Sequence, residues 1–218
     1  MEGNGTRAVV TAAIALVVLT GGSLLWIACE PADRAGPSAT PEPQATALPD
    51  GWVRCMNAEV GFSIGYPADW FTTDVYTALD GSEHPHPEVA CSYFDPRPFV
   101  IPVDGEYPAT ALEAHLSRRP LATIVEQFTD ATFYRPLSRE ELTIAGMPAV
   151  RLEGELVEGL RTGTRYDVLI DLGDGGTFYL TTLRQILSTG PTDPERYAAN
   201  KAIVDLAAPT MRLEPVAR

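Results

Sequence analysis

Lysine is nearly absent from this chain: Lys201 is the only one in 218 residues, and 16 basic side chains stand against 29 acidic ones. A formal net charge of −13 excludes a nucleic-acid binder, because displacing counterions from phosphates needs clustered Lys and Arg. Anionic lipid surfaces are disfavoured for the same reason. The excess of arginine over lysine is read as genomic base composition and carries no functional message. Histidine is scarce as well. His84, His86 and His115 are the three in the chain, and none lies late, where the hydrolase order of nucleophile, acid and base would put it. No glycine loop has phosphate-cradling spacing, and no Cys/His pair reads as a nucleophile with its base. No cofactor is expected.

Charge is missing altogether from Ala8 to Cys29, a run of 22 residues. As a helix it measures about 33 Å, enough to cross a hydrocarbon core. Arg7 precedes it and Glu30 and Asp33 follow, a bias that leaves the N-terminus inside and the rest of the chain outside. Residues 1–29 are therefore a signal or a membrane anchor. Ile27-Ala28-Cys29 resembles the box that ends bacterial lipoprotein signals, although Trp26 stands where an aliphatic residue is usual, three positions before the cysteine. Two readings lead, lipidation at Cys29 or an uncleaved transmembrane helix, ahead of ordinary cleavage with release, and both leading readings tether the chain to the outer face of a membrane. Residues 30–50 carry Pro31, Pro37, Pro41, Pro43 and Pro49 among small side chains. Such a stretch buries too little to offset its ordering and forms an extended spacer with a reach of about 60 Å. Residues 51–218 are left for one globular domain, and 45% hydrophobic content supplies its core.

Three cysteines allow one bridge once Cys29 is set aside. Export favours oxidation, so a Cys55 to Cys91 disulfide is expected, contributing about 3 to 4 kcal/mol by closing its loop. Two buried free thiols, or half of a metal site, is the alternative. Cys55 lies in strand-like Trp52–Met56, and Cys91 in strand-like Val89–Phe94.

The domain opens on Gly61-Phe62-Ser63-Ile64-Gly65-Tyr66-Pro67-Ala68-Asp69-Trp70. Its alternation gives a strand that Tyr66-Pro67 ends, and Trp70–Tyr76 is expected to pair with it across the turn. Gly61-x-Ser63-x-Gly65 also matches a hydrolase nucleophile elbow. That elbow needs a helix directly after the serine, which Tyr66-Pro67 forbids by pushing the backbone toward extended geometry. Ser63 is read as an ordinary strand residue.

Further on, residues 78–88 read as a loop and Asp95-Pro96-Arg97-Pro98 as a turn. Ala109–Leu116 is taken as a strand, and Pro120–Phe128 as a helix with Pro120 at its first position and Leu121, Ile124, Val125 and Phe128 on one face. Val150, Leu152 and Leu156 alternate with Arg151, Glu153 and Glu155; Tyr166, Val168 and Ile170 alternate with Arg165, Asp167 and Asp171. These are expected to be half-exposed antiparallel strands. The glycines at 173–176 turn the chain into a third strand, Thr177–Leu183. Asp193-Pro194 starts a final helix with Tyr197, Val204, Ala208 and Met211 at helical spacing. The expected class is α+β, one antiparallel sheet with helices packed on it.

Gly-Phe-Ser-Ile-x-Tyr-Pro-x-x-Trp at 61–70, Leu-Thr-Ile-Ala-Gly-Met-Pro-Ala-Val-Arg at 142–151, the glycine hairpin and the closing helix resemble the PsbP-like superfamily of exported bacterial lipoproteins. The resemblance spans most of residues 52–214. It implies a curved antiparallel sheet between helices, an αβα sandwich, and a non-enzymatic accessory or binding role.

The His84-Pro85-His86 loop between Glu83 and Glu88 is the one cluster with metal-ligand character, read as an exposed loop because a structural site needs a fourth fixed ligand. Asp171 with Asp174 is read as a hairpin turn and not as a calcium loop. The sequence thus points to a membrane-tethered, extracytoplasmic, non-catalytic binding or accessory module. The alternative is an extracytoplasmic hydrolase or metal-dependent enzyme using Ser63 or the His84/His86 loop.

Overall fold

Long runs at period two build the centre of the molecule, as the alternation between 150 and 183 requires. The computed structural model of the chain describes residues 46–103, 110–156, 162–187, 190–191 and 194–216. The anchor, Cys29 and most of the spacer lie outside the described residues, as does Asp193. In chain order the strands are β1 (Trp52–Asn57), β2 (Phe62–Pro67), β3 (Val75–Thr77), β4 (Glu83–Pro85), β5 (Tyr93–Phe94), β6 (Ile101–Pro102) and β7 (Leu112–Ser117). After helix α1 (Leu121–Phe128) come β8 (Tyr134–Ile144), β9 (Met147–Leu156), β10 (Thr162–Asp171), β11 (Thr177–Leu187) and β12 (Gly190–Pro191). Helix α2 (Pro194–Ala207) and strand β13 (Arg212–Leu213) close the domain.

The principal sheet has seven strands, six of them in the order β5-β7-β11-β10-β9-β8, with β12 paired to β11, and its pairings are antiparallel. Ala145 and Gly146, at φ 50° and 83°, form the two-residue turn between β8 and β9, the mirror-image turn that matches strand twist. The 3₁₀ turn at Gly173–Gly175 leads β10 into β11 where the glycine run predicts a turn. Two three-stranded sheets accompany the principal one, β1-β2-β13 and β4-β3-β6. The class is α+β, and the single sheet expected from the sequence is in fact one large sheet with two small ones.

Both faces of the large sheet are covered. On one, Tyr166, Val168, Ile170, Phe178 and Leu180 pack with Tyr197, Val204 and Ala207 of α2 and with Phe62 and Ile64 of β2. On the other, Val150, Leu152 and Leu169 pack against Ile124 and Val125 of α1. The strands are therefore not half-exposed: Tyr166 through Ile170 are all buried. The alternation was real, but the polar half of it, Arg165 and Asp167, faces a second helix instead of water.

Five further expectations change. Trp70–Tyr76 does not pair with β2. The partner is β1, upstream, in register from Trp52↔Pro67 to Asn57↔Phe62, because the buried Asn57 closes the tight turn by accepting from Val60 N (2.9 Å). Ala68 N instead donates to Gly51 O, and the chain leaves at Phe71, which bridges to Asp95. Of Val89–Phe94 only Tyr93–Phe94 is strand; Pro87–Val89 is a 3₁₀ turn and Cys91 sits at φ 59°. Residues 83–85, within the stretch read as a loop, pair with β3. Pro120 is the N-cap of α1, with Leu121 the first helical residue, and α2 ends at Ala207, after which Ala208–Thr210 form a 3₁₀ turn. Ala208 and Met211 are nonetheless buried in the core.

Cys55 and Cys91 are bridged, with Cα atoms 5.7 Å apart. The bridge fastens β1 to the loop before β5. Asn57 reinforces the same junction, since its Nδ2 donates to Glu88 O (3.1 Å) and Ala90 O (2.6 Å).

Candidate functional site

The face of the large sheet packed by α1, a helix of 8 residues, is less fully covered than the face packed by the 14 residues of α2, and openings remain beside α1.

On the β8 side of α1 lies a cleft of about 770 Å³, within the size range of small-molecule sites. Val125 and Leu121 of α1 and Val150 and Pro148 of β9 give it apolar surface. Its polar groups are Glu126 and Thr129 from α1, Arg139, Glu141 and Thr143 from β8, and Asp171 from the end of β10. Strand alternation puts Arg139, Glu141 and Thr143 on this face, because they pair with Leu152, Val150 and Pro148. Arg139 Nη2 donates to Glu141 Oε1 (3.2 Å). A second hollow of about 550 Å³ shares Glu126 and Thr129 and adds Asp130, Gln127 and Arg119.

On the other side of α1 the face is polar and aromatic. Rings follow one another from Tyr93 to His115 (5.7 Å), His115 to Tyr179 (5.1 Å) and Tyr179 to Phe128 (5.3 Å). The Arg165 guanidinium then stacks on Phe128, 3.8 Å from its centroid. Arg165 Nε donates to Asp167 Oδ1 (2.8 Å), and His115 Nε2 lies 3.5 Å from Glu113 Oε2. Asp167 is fully buried. Burial pushes its carboxyl above the ordinary range, while the Arg165 charge pulls it back. Burial likewise raises Tyr134, to about 12, with the Asp167 charge adding to it, and Tyr179 is raised by burial against the opposing pull of Arg165. Among the described residues, Tyr134 Oη is buried without a hydrogen-bond partner, while the Thr181 hydroxyl beside the Asp167 carboxylate helps Arg165 pull that acid back down.

No family model and no curated protein matches this chain. Among solved structures it is similar to the solution structure of cyanobacterial PsbP (CyanoP) from Synechocystis sp. PCC 6803, with 14% identity, a TM-score of 0.40, and coverage of 79% of this chain and 99% of that one. At that distance nothing about function transfers, because function lives in the site and not in the fold.

Of the residues singled out in the sequence, Asp171 borders the cleft beside α1, while Ser63, His84 and His86 line neither opening. Ser63 is fully buried on β2; its hydroxyl donates to Glu214 Oε1 (2.5 Å) and accepts from Arg54 Nη1 (3.1 Å). These contacts tie the chain just after β13 to β2, and neither is to an imidazole. His84 Nε2 lies 3.2 Å from Ser82 Oγ, and His86 Nδ1 2.7 Å from Glu88 Oε1, so the two imidazoles have separate partners. Among the described residues no three His, Cys, Asp or Glu side chains form a metal-holding group. Asp171 Oδ1 accepts from Gly173 N (2.9 Å), the hairpin-turn role expected for it; the Asp174 side chain lies outside the described residues. Sequence reasoning missed the Glu113, His115, Arg165, Asp167 and Tyr179 constellation. Its one local signal was two i,i+2 pairs of opposite charge capacity, Glu113/His115 and Arg165/Asp167, on strands whose apolar halves face α2.

Proposed function

We propose that this chain is a membrane-tethered, extracytoplasmic, non-catalytic binding or accessory module, and that its ligand site is the cleft between α1 and the β8–β9 hairpin. The observation that carries the reading is the composition of that cleft. It joins an apolar floor to carboxylates, one guanidinium and threonine hydroxyls, and its lining contains no imidazole, thiol or serine. Such a lining, an apolar floor beside a few separate polar groups, is that of a site that binds and orients a ligand. The Cys55–Cys91 bridge supports an oxidising, exported setting, and the charge-free run before a proline-rich spacer supports the tether. Among the described residues no helix is long and apolar enough to cross a membrane, so the tether is assigned to residues 1–29, by lipid on Cys29 or as an uncleaved helix. Helices on opposite faces of the large sheet support a PsbP-like αβα arrangement.

Lys201, the only lysine, offers a direct test of sidedness. A membrane-impermeant amine reagent applied to intact cells is expected to label Lys201, and a Lys201→Arg variant to lose that label. Labelling that appears only after lysis overturns the extracytoplasmic assignment. Mass spectrometry of the membrane-extracted protein then separates diacylglycerol on Cys29 from an intact N-terminal helix, while a released, unlipidated form removes the tether.

A further inference from the structure

We propose that the cleft beside α1 binds linear aliphatic polyamines, chains of ammonium groups joined by methylene runs; this rests on the reading of the cleft as the ligand site. Glu126, Glu141 and Asp171 stand around it against Arg139 alone; Arg139 pairs with Glu141, which leaves Glu126 and Asp171 as the uncompensated charges. The last turn of α1 carries no basic residue, so its carbonyl end contributes further negative potential beside Glu126. At longer range the net charge of −13 draws cations toward the surface.

The arrangement of these charges selects the shape of the cation. Among the described residues no three carboxylates or imidazoles converge as metal ligands, so a point cation has no cage here. A chain with ammonium groups several bonds apart meets the separate carboxylates together, and its methylenes cover the accessible apolar surface of Leu121 and Pro148. A basic peptide is a poorer match. Val150 and its neighbours on β9 have their backbones committed to β8 and β10, so a peptide backbone laid on this floor would leave its own N–H and C=O groups unpaired. A polyamine has only its ammonium groups to satisfy.

The test is calorimetric titration of the full chain, in non-ionic detergent, with spermidine, diaminooctane, octylamine and octanoate. Spermidine and diaminooctane are expected to bind, octylamine about tenfold more weakly, and octanoate not at all. Glu126→Gln and Glu141→Gln, both at exposed positions, should each weaken spermidine about threefold, while Glu59→Gln, exposed on the turn between β1 and β2, leaves it unchanged. Octylamine binding as tightly as spermidine, or no loss in the Glu126→Gln/Glu141→Gln double variant, overturns the proposal. Octanoate or a basic peptide binding the wild type and failing to bind Pro148→Arg, at an exposed position on the cleft, also overturns it, and in that case leaves the cleft as a ligand site intact. Spermidine binding that both Pro148→Arg and the double variant retain overturns polyamine binding in the cleft and, with it, the support that ligand gives to the site.

Discussion

Removing the Cys55–Cys91 bridge by the double substitution Cys55→Ala/Cys91→Ala is expected to destabilise the domain by about 3.8 kcal/mol. The figure comes from loop closure: the bridged residues are 36 apart in sequence, and the denatured chain regains the corresponding entropy when the link is cut. With a urea m-value of about 2 kcal/mol per molar, the unfolding midpoint falls by about 2 M. The structure adds a second, separable term. Cys91 is buried and held at φ 59°, a left-handed conformation that costs a non-glycine residue about 1 to 2 kcal/mol. Alanine at 91 inherits that cost and glycine does not, so Cys55→Ala/Cys91→Gly should lie about 1 kcal/mol above the double-alanine variant. Urea unfolding monitored by tryptophan fluorescence suits the region, because Trp52 and Trp70 both pack on the principal core. A midpoint loss below about 0.5 M, or a glycine variant no more stable than the alanine one, refutes the reasoning. The first result would mean that the Asn57 side chain, bonded to Glu88 O and Ala90 O, already restrains the junction without the bridge.

Asn57→Ala removes three hydrogen bonds from a fully buried site and leaves their backbone partners unpaired. A loss of about 2 to 3 kcal/mol is expected in urea unfolding, less than additive with the cysteine substitutions because the groups share one junction. Gly154→Ala would drive a methyl group into the Tyr134 ring, which lies directly over the α-carbon; a cost of about 1 to 3 kcal/mol should fall when Tyr134→Ala is combined with it. Asp167→Asn tests the buried acid. The Asp167 pKa is raised in the folded state, so the folded protein binds that proton more tightly than the unfolded chain. Its ionisation therefore works against folding at pH above the folded pKa. That penalty is relieved as pH falls through the folded pKa toward the ordinary carboxylate value near 4. Stability measured at matched pH values should thus shift in favour of wild type over Asp167→Asn as the solution is acidified through that window, and two parallel profiles would contradict it.

The sequence was most legible where the period was long and one face fully apolar. Val150/Leu152, Val168/Ile170 and the α1 positions Leu121, Ile124, Val125 and Phe128 all lie where alternation or helical spacing puts them. It was least legible where pairing is decided at a distance. Nothing local to Trp70–Tyr76 says that β2 is already flanked by β1 and β13, and the β-branched, aromatic composition of that stretch fits any sheet edge. β8 escaped notice for a related reason. As the end strand of the six-strand path it places Arg135, Arg139, Glu140 and Glu141 in exposed positions, the charged pattern expected of a protected edge, and it presents no apolar face to read.

The candidate site escaped for a reason that lies in the contrast between the helices. The 14-residue α2 covers its face with the larger core cluster, including residues of β2, the 3₁₀ turn and Met211, so substitutions there report chiefly on stability. The 8-residue α1 closes only part of the opposite face. Beneath its last turn the sheet buries Asp167 under Arg165, and Arg165 under Phe128. A strand of alternating Arg, Asp and Leu reads as solvent-facing unless a second helix is known to cross it, and only tertiary packing supplies that helix. Because Phe128 both ends α1 and stacks on Arg165, the helix terminus is tied to the polar side of the face while Glu126, on the same final turn, borders the cleft. Phe128→Ala should therefore free Arg165 from its stacking contact and lower stability. If α1 is held by Ile124 and Val125 alone, the cleft and its affinity for cations survive that change; if the stacking fixes the last turn, both stability and affinity fall together.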